Sequence, residues 1–264
     1  GWHFFKFPYG RLNQHTHLQH FYFHLKCEYE NLSQYFFELL RPLTIGDYNL
    51  AIPNKLLVLR EAKKCGLLIP ETRIITDKKN AFEQTHINKN ITEVVNVKYE
   101  KQLFYNRTTL QGAYETNTFF PSLLQLNIKK FCELRAFFFM DRFFTMATMP
   151  DVMEVLETDN RDITSTKYFH RVAFDLPLEV ERKLTDLITS LGYTTCSVDM
   201  IVDEKFDYYF LELNPTGQFS YLNTICNFNI EKYIALKLMN YECSKTKASP
   251  GVEYTCSGVA ADYV

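Results

Sequence analysis

The sequence predicts an α+β fold, with strand hairpins and amphipathic helices in separate stretches. Three features predict it. Residues 194–218, TTCSVDMIVDEKFDYYFLELNPTGQ, read as two strands joined by a short charged turn. Residues 121–148 read as three consecutive strands, with a hairpin turn at Asp141-Arg142. Residues 178–191 set Val180, Leu184, Leu187, Ile188 and Leu191 on one helical stripe, closed by Gly192. GxGxxG and GxxxxGK are absent, which counts against Rossmann and P-loop folds. HExxH and GxSxG are absent too.

The 264 residues suffice for one large domain or two modest ones, and 46% hydrophobic residues can fill a core. A net charge of −2 argues against a non-specific nucleic-acid binder, which would carry a basic patch. No apolar run reaches the ~18 residues of a membrane span, and no secretory signal stands at the start. The seven cysteines are an odd number without CxxC spacing, so they read as reduced thiols of a cytoplasmic protein.

In chain order, residues 1–48 open with a strand-and-turn remnant. His15, His17, His20 and His24 follow, the last three at helical spacing. Without a carboxylate or cysteine at ligand spacing, they read as a polar helix edge. Residues 31–40 form a helix ended by Pro42. A second helix starts at the N-cap Asn54, buries Leu56, Leu57, Leu59 and Ala62, and stops at Gly66. Lys55 falls in its first turn, where the macrodipole favours anions. A bound anion there would explain it, and so would a solvated surface lysine. A strand RIITD, a short helix near 80–84 and a Val-rich strand ending in Lys98 come next. A lysine in such a strand is costly to bury unpaired and reaches into a cleft. Residues 100–118 and 149–176 read as polar loops, 229–239 as a final helix, and 243–264 as a tail without periodicity.

Chemistry concentrates on the hairpin. Glu212 and Asn214 share a face of the second strand by the period of two. If Asp203 pairs with Tyr208, Asp199 falls opposite Glu212 on that face. Two carboxylates and an amide oxygen suit Mg²⁺, which binds through carboxylates and substrate phosphates. A half-exposed hairpin with an acidic wet face accounts for the same residues. Glu133 and Arg135 likewise share a face. Arg135 offers a planar fork for phosphate or carboxylate, or a surface pair with Glu133 worth little.

Taken in series, these residues resemble the ATP-grasp ligases. Asn54-Lys55-Leu56 with GLLIPET resembles their first nucleotide helix, and the strand with Lys98 their second nucleotide lysine. Asp199 with Glu212-Leu213-Asn214-Pro215 resembles their magnesium set. PSLLQLNIKKFCELR, Asp159 with Arg161, RVAFDLP from Arg171, and PTGQFSYLNTICNFNIEKYIA are more similar to the ATP-grasp peptide maturases of the microviridin and grasp-with-spasm (graspetide) type. The similarity covers roughly residues 50–240. It departs from the family in the short, poorly matching first 48 residues, in Met149-Pro150 where a Ser-Gln pair is usual, and in the tail.

The resemblance implies an ATP-grasp fold with a truncated N-terminal domain and a nucleotide held between two sheet-containing subdomains. Residues 1–48 would be the incomplete N-terminal segment, 49–128 the lid or central subdomain and 129–242 the C-terminal subdomain. Lys55 and Lys98 would hold ATP phosphates. Gln125, Leu126, Asn127 and Ile128 would form the adenine hinge, mostly through backbone groups. Arg135 would contact the reacting phosphoryl group, Arg161 and Arg171 would stand near the cleft, and Asp199, Glu212 and Asn214 would bind Mg²⁺. Gln218 and Asn227 would shape a substrate pocket. The implied enzyme is an ATP-dependent ligase. It activates Asp or Glu side chains of a ribosomal precursor peptide as acyl phosphates, then crosslinks them to Thr or Ser as esters or to Lys as amides. The alternatives are a ligase acting on a small carboxylate or protein terminus, and a truncated, non-catalytic peptide-binding copy. The expected partner is a precursor peptide. Nucleic acid and membrane are excluded, and a homodimer is allowed.

Overall fold

The structure is a computed structural model that describes residues 18–41, 44–46, 50, 52–80, 86–89, 106–108, 118–150 and 169–239. Lys98, Asp159, Arg161, the first 17 residues, the Val-rich strand and the tail lie outside the described residues.

The described chain runs α1 (Gln19–Leu40), α2 (Lys55–Lys64), β1 (Thr72–Asp77), β2 (His86–Lys89), β3 (Asn106–Thr108), β4 (Thr118–Leu126), β5 (Lys130–Phe139), β6 (Arg142–Pro150), β7 (Phe169–Phe174), α3 (Leu178–Ser190), β8 (Thr195–Asp203), β9 (Tyr208–Asn214), α4 (Ser220–Cys226) and α5 (Ile230–Met239). Two sheets result, ordered β1-β4-β2-β3 and β7-β6-β5-β8-β9. Every strand pairing in them is antiparallel.

Both expected helix caps of α2 are present. Asn54 accepts from the amides of Leu56 and Leu57 at 3.1 and 3.2 Å. Gly66 follows the helix at φ +77°, the left-handed conformation that glycine takes without a Cβ penalty. The buried face differs by one step from the expected one: Val58, Leu59 and Ala62 are buried and Leu57 is exposed. On α3, Leu184, Leu187 and Ile188 are fully buried, and Val180 and Leu191 pack at the margin.

The five-stranded sheet has two unlike faces. One carries Cys132, Leu134, Ala136 and Phe138 of β5 with Cys196, Val198, Met200 and Val202 of β8, under α2 and α3. On the other, Phe137, Phe139, Phe144 and Met146 pack with Leu222 of α4 and Ile230 of α5. That cover ends partway along the strands, and partly exposed polar side chains follow in the same face.

Four expectations change. The helix expected at 31–40 is part of a longer one, α1. Residues 78–80 form a 3-10 turn, close to the expected short helix. The polar stretches expected to be loops contain β3 and β7, and β4 starts at Thr118, before the predicted strand. Among the described residues, no helix is long and apolar enough to cross a membrane.

Candidate active site

The register of the five-stranded sheet builds the site in rows. Arg135 pairs with Asp199, and Asp199 pairs with Glu212. Paired residues in an antiparallel ladder lie on one face, so these three side chains form one row across β5, β8 and β9. The next row toward the helices holds Phe137, Ser197 and Asn214. The row on the other side holds Glu133, Thr148 and Arg171.

The pairing of Asp199 with Glu212 comes from a register other than the one expected. Tyr208 pairs with Val202, not Asp203, and this register continues through Met200 with Phe210. Run on regularly, it would set Asp199 against Leu211 and turn Glu212 to the core. The ladder instead shifts between Met200 and Asp199. Leu211 is the extra residue of a β-bulge, a device that re-aims side chains. Burial shows the same shift: Phe210 and Leu213, three apart, both face the core under α2 and α3.

Ion pairs link the row. Arg135 Nη1 donates to both carboxylate oxygens of Asp199, at 2.6 and 2.5 Å. Burial lowers the Arg135 pKa, but the adjacent Asp199 charge and its hydrogen bond outweigh that and leave it raised. Lys55 Nζ lies 3.5 Å from Glu212 Oε2, both side chains about a quarter exposed or less (20% and 24%). The lysine at the start of α2 thus has an anion before it, carried by β9.

Asn214 shares the site face, and its side-chain oxygen accepts from the Thr216 amide and hydroxyl at 3.0 and 3.1 Å, capping the turn. Arg171 lies in the site face on β7 and is partly exposed. Gln125 is buried; its Nε2 donates to Thr72 Oγ1 at 3.1 Å. Leu126 ends β4 with its amide bonded to the Glu71 carbonyl, and Asn127 and Ile128 lead into β5. Gln218 is exposed, and Asn227 caps α4 at φ 54°, which asparagine tolerates. Glu133 forms an ion pair with Lys130.

Two site residues were missed from sequence. Ser197 is fully buried beside Asp199's row, and its Oγ has no hydrogen-bond partner among the described residues. Gly217 packs over it, since a Cβ there would lie 2.2 Å from Ser197 Oγ. The period of two from Asp199 would have found Ser197; the Gly217 contact is tertiary and has no sequence signal.

The donor set fits a hard divalent cation. Asp199 and Glu212 supply carboxylates from neighbouring strands, and Asn214 adds an amide oxygen one row away. Among the described residues there is no cluster of three or more His, Cys, Asp or Glu, as expected of a set with only two carboxylates.

No family model matches the chain, and no curated protein does. Solved structures do. A Chryseobacterium gregarium RiPP-associated ATP-grasp ligase, in complex with ADP and a leader and core peptide, aligns with a TM-score of 0.68 over 86% of this chain and 73% of its own, at 21% identity. The chain has the ATP-grasp fold. The ATP-grasp ligase PsnB, complexed with minimal precursor, Mg and ADP, aligns with a TM-score of 0.63 over 89% and 74%, at 14% identity. The macrocyclase MdnC from Microcystis aeruginosa MRC, bound with precursor peptide MdnA, aligns with a TM-score of 0.56 over 71% of this chain, at 27% identity. The chain spans 60% of the length of MdnC.

Proposed function

We propose that this ATP-grasp chain is an ATP-dependent ligase that crosslinks side chains of a precursor peptide. The observation that carries the reading is the row Arg135–Asp199–Glu212, joined to Lys55 at a helix start. Similarity to MdnC, whose structure holds a precursor peptide, supports the substrate class. ATP and Mg²⁺ are the proposed cosubstrate and metal, as ADP and Mg accompany PsnB.

In this reading, a peptide Asp or Glu carboxylate attacks the γ-phosphorus of ATP, giving an acyl phosphate and ADP. A Thr or Ser hydroxyl, or a Lys amine, then attacks the acyl carbon, loses its proton and expels phosphate. Ester or amide results. Carboxylate and triphosphate repel, so the residues must supply positive charge. Lys55 would hold phosphate oxygens at the α2 N-terminus, with Lys98 as the second lysine. Arg135 would turn its fork to the transferring phosphoryl group. Arg161 and Arg171 would line the cleft, and residues 125–128 would meet the base. Asp199, Glu212 and Asn214 would hold Mg²⁺, which supplies charge neutralisation of the phosphates when bound. The two sheets, on either side of residue 128, support a division into subdomains near that point.

The test is mass spectrometry of a candidate precursor peptide, rich in Thr, Ser, Lys, Asp and Glu, co-expressed with the chain. Loss of one water per crosslink is expected with the wild-type chain and not with Glu212→Gln. An unchanged peptide mass with ATP and Mg²⁺ present overturns the reading.

A further inference from the structure

Ser197 presents a hydroxyl where packing alone would accept alanine. The residue is fully buried, and its Oγ has no hydrogen-bond partner among the described residues. An unsatisfied buried hydroxyl is destabilising, so a position that keeps one calls for an occasion on which it is used.

A group with spare donors stands on the same sheet face, since Arg135 pairs with Asp199, two residues along β8 from Ser197. Arg135 Nε is also buried without a partner, while Nη1 donates to both oxygens of Asp199. The guanidinium has five N–H donors in a fixed fork, and this arrangement leaves part of that fork unused. Gly217 brings the two groups together. A Cβ on Gly217 would lie 2.2 Å from Ser197 Oγ and 3.1 Å from Arg135 Nη2, so hydroxyl and guanidinium flank one point above the glycine. Gly217 is not among the glycines of positive φ. Closeness, not backbone conformation, demands glycine there.

Asp199 commits both oxygens to Arg135, and a divalent cation would compete for their lone pairs. When it turns away, a largely buried cationic side chain loses its partner, which is costly unless another acceptor replaces it. We propose that Ser197 is a positioning residue for Arg135: its hydroxyl, under Gly217, accepts a hydrogen bond from the guanidinium when Asp199 engages a divalent cation. Arg135 is thereby kept in the cleft, aimed at the substrate. The inference rests on the metal role proposed above for Asp199 and Glu212.

The experiment is titration of the full chain with Mn²⁺ in the presence of ADP, followed by the electron paramagnetic resonance of free Mn²⁺. Ser197→Ala is expected to weaken Mn²⁺ binding roughly tenfold, the order expected for a hydrogen bond to a charged group. Its melting temperature is expected to hold or rise, because an unpartnered hydroxyl has gone. In an Arg135→Gln background, Ser197→Ala is expected to have no further effect, the non-additivity of residues that act as a unit. Ser197→Ala binding Mn²⁺ like wild type, or keeping its effect without Arg135, overturns the proposal. Glu212→Gln separates the two levels. If wild type binds Mn²⁺ and Glu212→Gln does not, an unaltered Ser197→Ala overturns the Ser197 role alone. If wild type fails to bind, or Glu212→Gln binds equally, the metal reading fails and this one with it.

Discussion

Glu212 faces Asp199 across the β8–β9 ladder because Leu211 is left out of the pairing. Whether Leu211 is bulged out or paired thus decides whether the second carboxylate meets the first or enters the core. Deletion of Leu211 is expected to leave a regular ladder with Glu212 still opposite Asp199, and Mn²⁺–ADP binding close to wild type. Deletion of Leu213 is expected to carry Asn214 opposite Val198, on the core face, and to cost at least ~1–3 kcal/mol for the buried amide. Chemical denaturation and Mn²⁺ titration of both variants would check the contrast.

Lys55 and Glu212 form a partly exposed pair at 3.5 Å. That separation is long for a charge-assisted hydrogen bond, so the pair contributes little to stability. Lys55→Met is therefore expected to unfold at nearly the wild-type denaturant midpoint. Its affinity for ATP is expected to fall tenfold or more under the proposed phosphate role, measured by calorimetric titration. A large stability loss with unchanged ATP binding would make Lys55 a structural residue.

At the β5–β6 turn, Asp141 accepts from Tyr233 Oη at 2.5 Å and from Lys237 Nζ at 2.7 Å. The Lys237 hydrogen bond, then that of Tyr233, holds the Asp141 pKa below its ordinary 3.8. A carboxyl with a lowered folded pKa stabilises above its unfolded pKa, and the contribution is lost as pH falls through the lowered value. Melting curves of wild type and Asp141→Asn are thus expected to differ by a constant near neutrality and to converge in acid below pH 3.8. The cluster is exposed, so the difference is expected to be small.

Burial raises the thiol pKa of Cys132 to about 11 and that of Cys196 to about 12. Thiolate is the reactive form. At pH 8 both are expected to resist iodoacetamide in the folded chain, while Cys27, partly exposed on α1, is alkylated before either. Peptide mapping of the alkylated protein would check the order.

The site was legible where one strand or helix carried it. Period two put Glu212 and Asn214 on one face, and the Asn54–Gly66 spacing marked both ends of α2. The partner of Glu212 was read correctly from a register that is off by one, because a bulge has no sequence mark and here cancels the error. β7 escaped notice since FHRVAF sits at the sheet edge with Val172 exposed, so no alternation of apolar residues announces it. The same holds for the Arg135–Asp199 bond, which depends on β5 and β8, 64 residues apart, lying side by side.

The backbone of the loop after α2 covers the outer margin of β9 at Tyr209 and Phe210. The Phe210 amide donates to the Leu68 carbonyl at 2.8 Å, and Leu68 bridges Tyr209 in parallel. Exposed strand margins invite foreign chains to add themselves. Claimed by its own polypeptide at that point, the strand bearing Glu212 offers a stray extended segment a shorter margin to join.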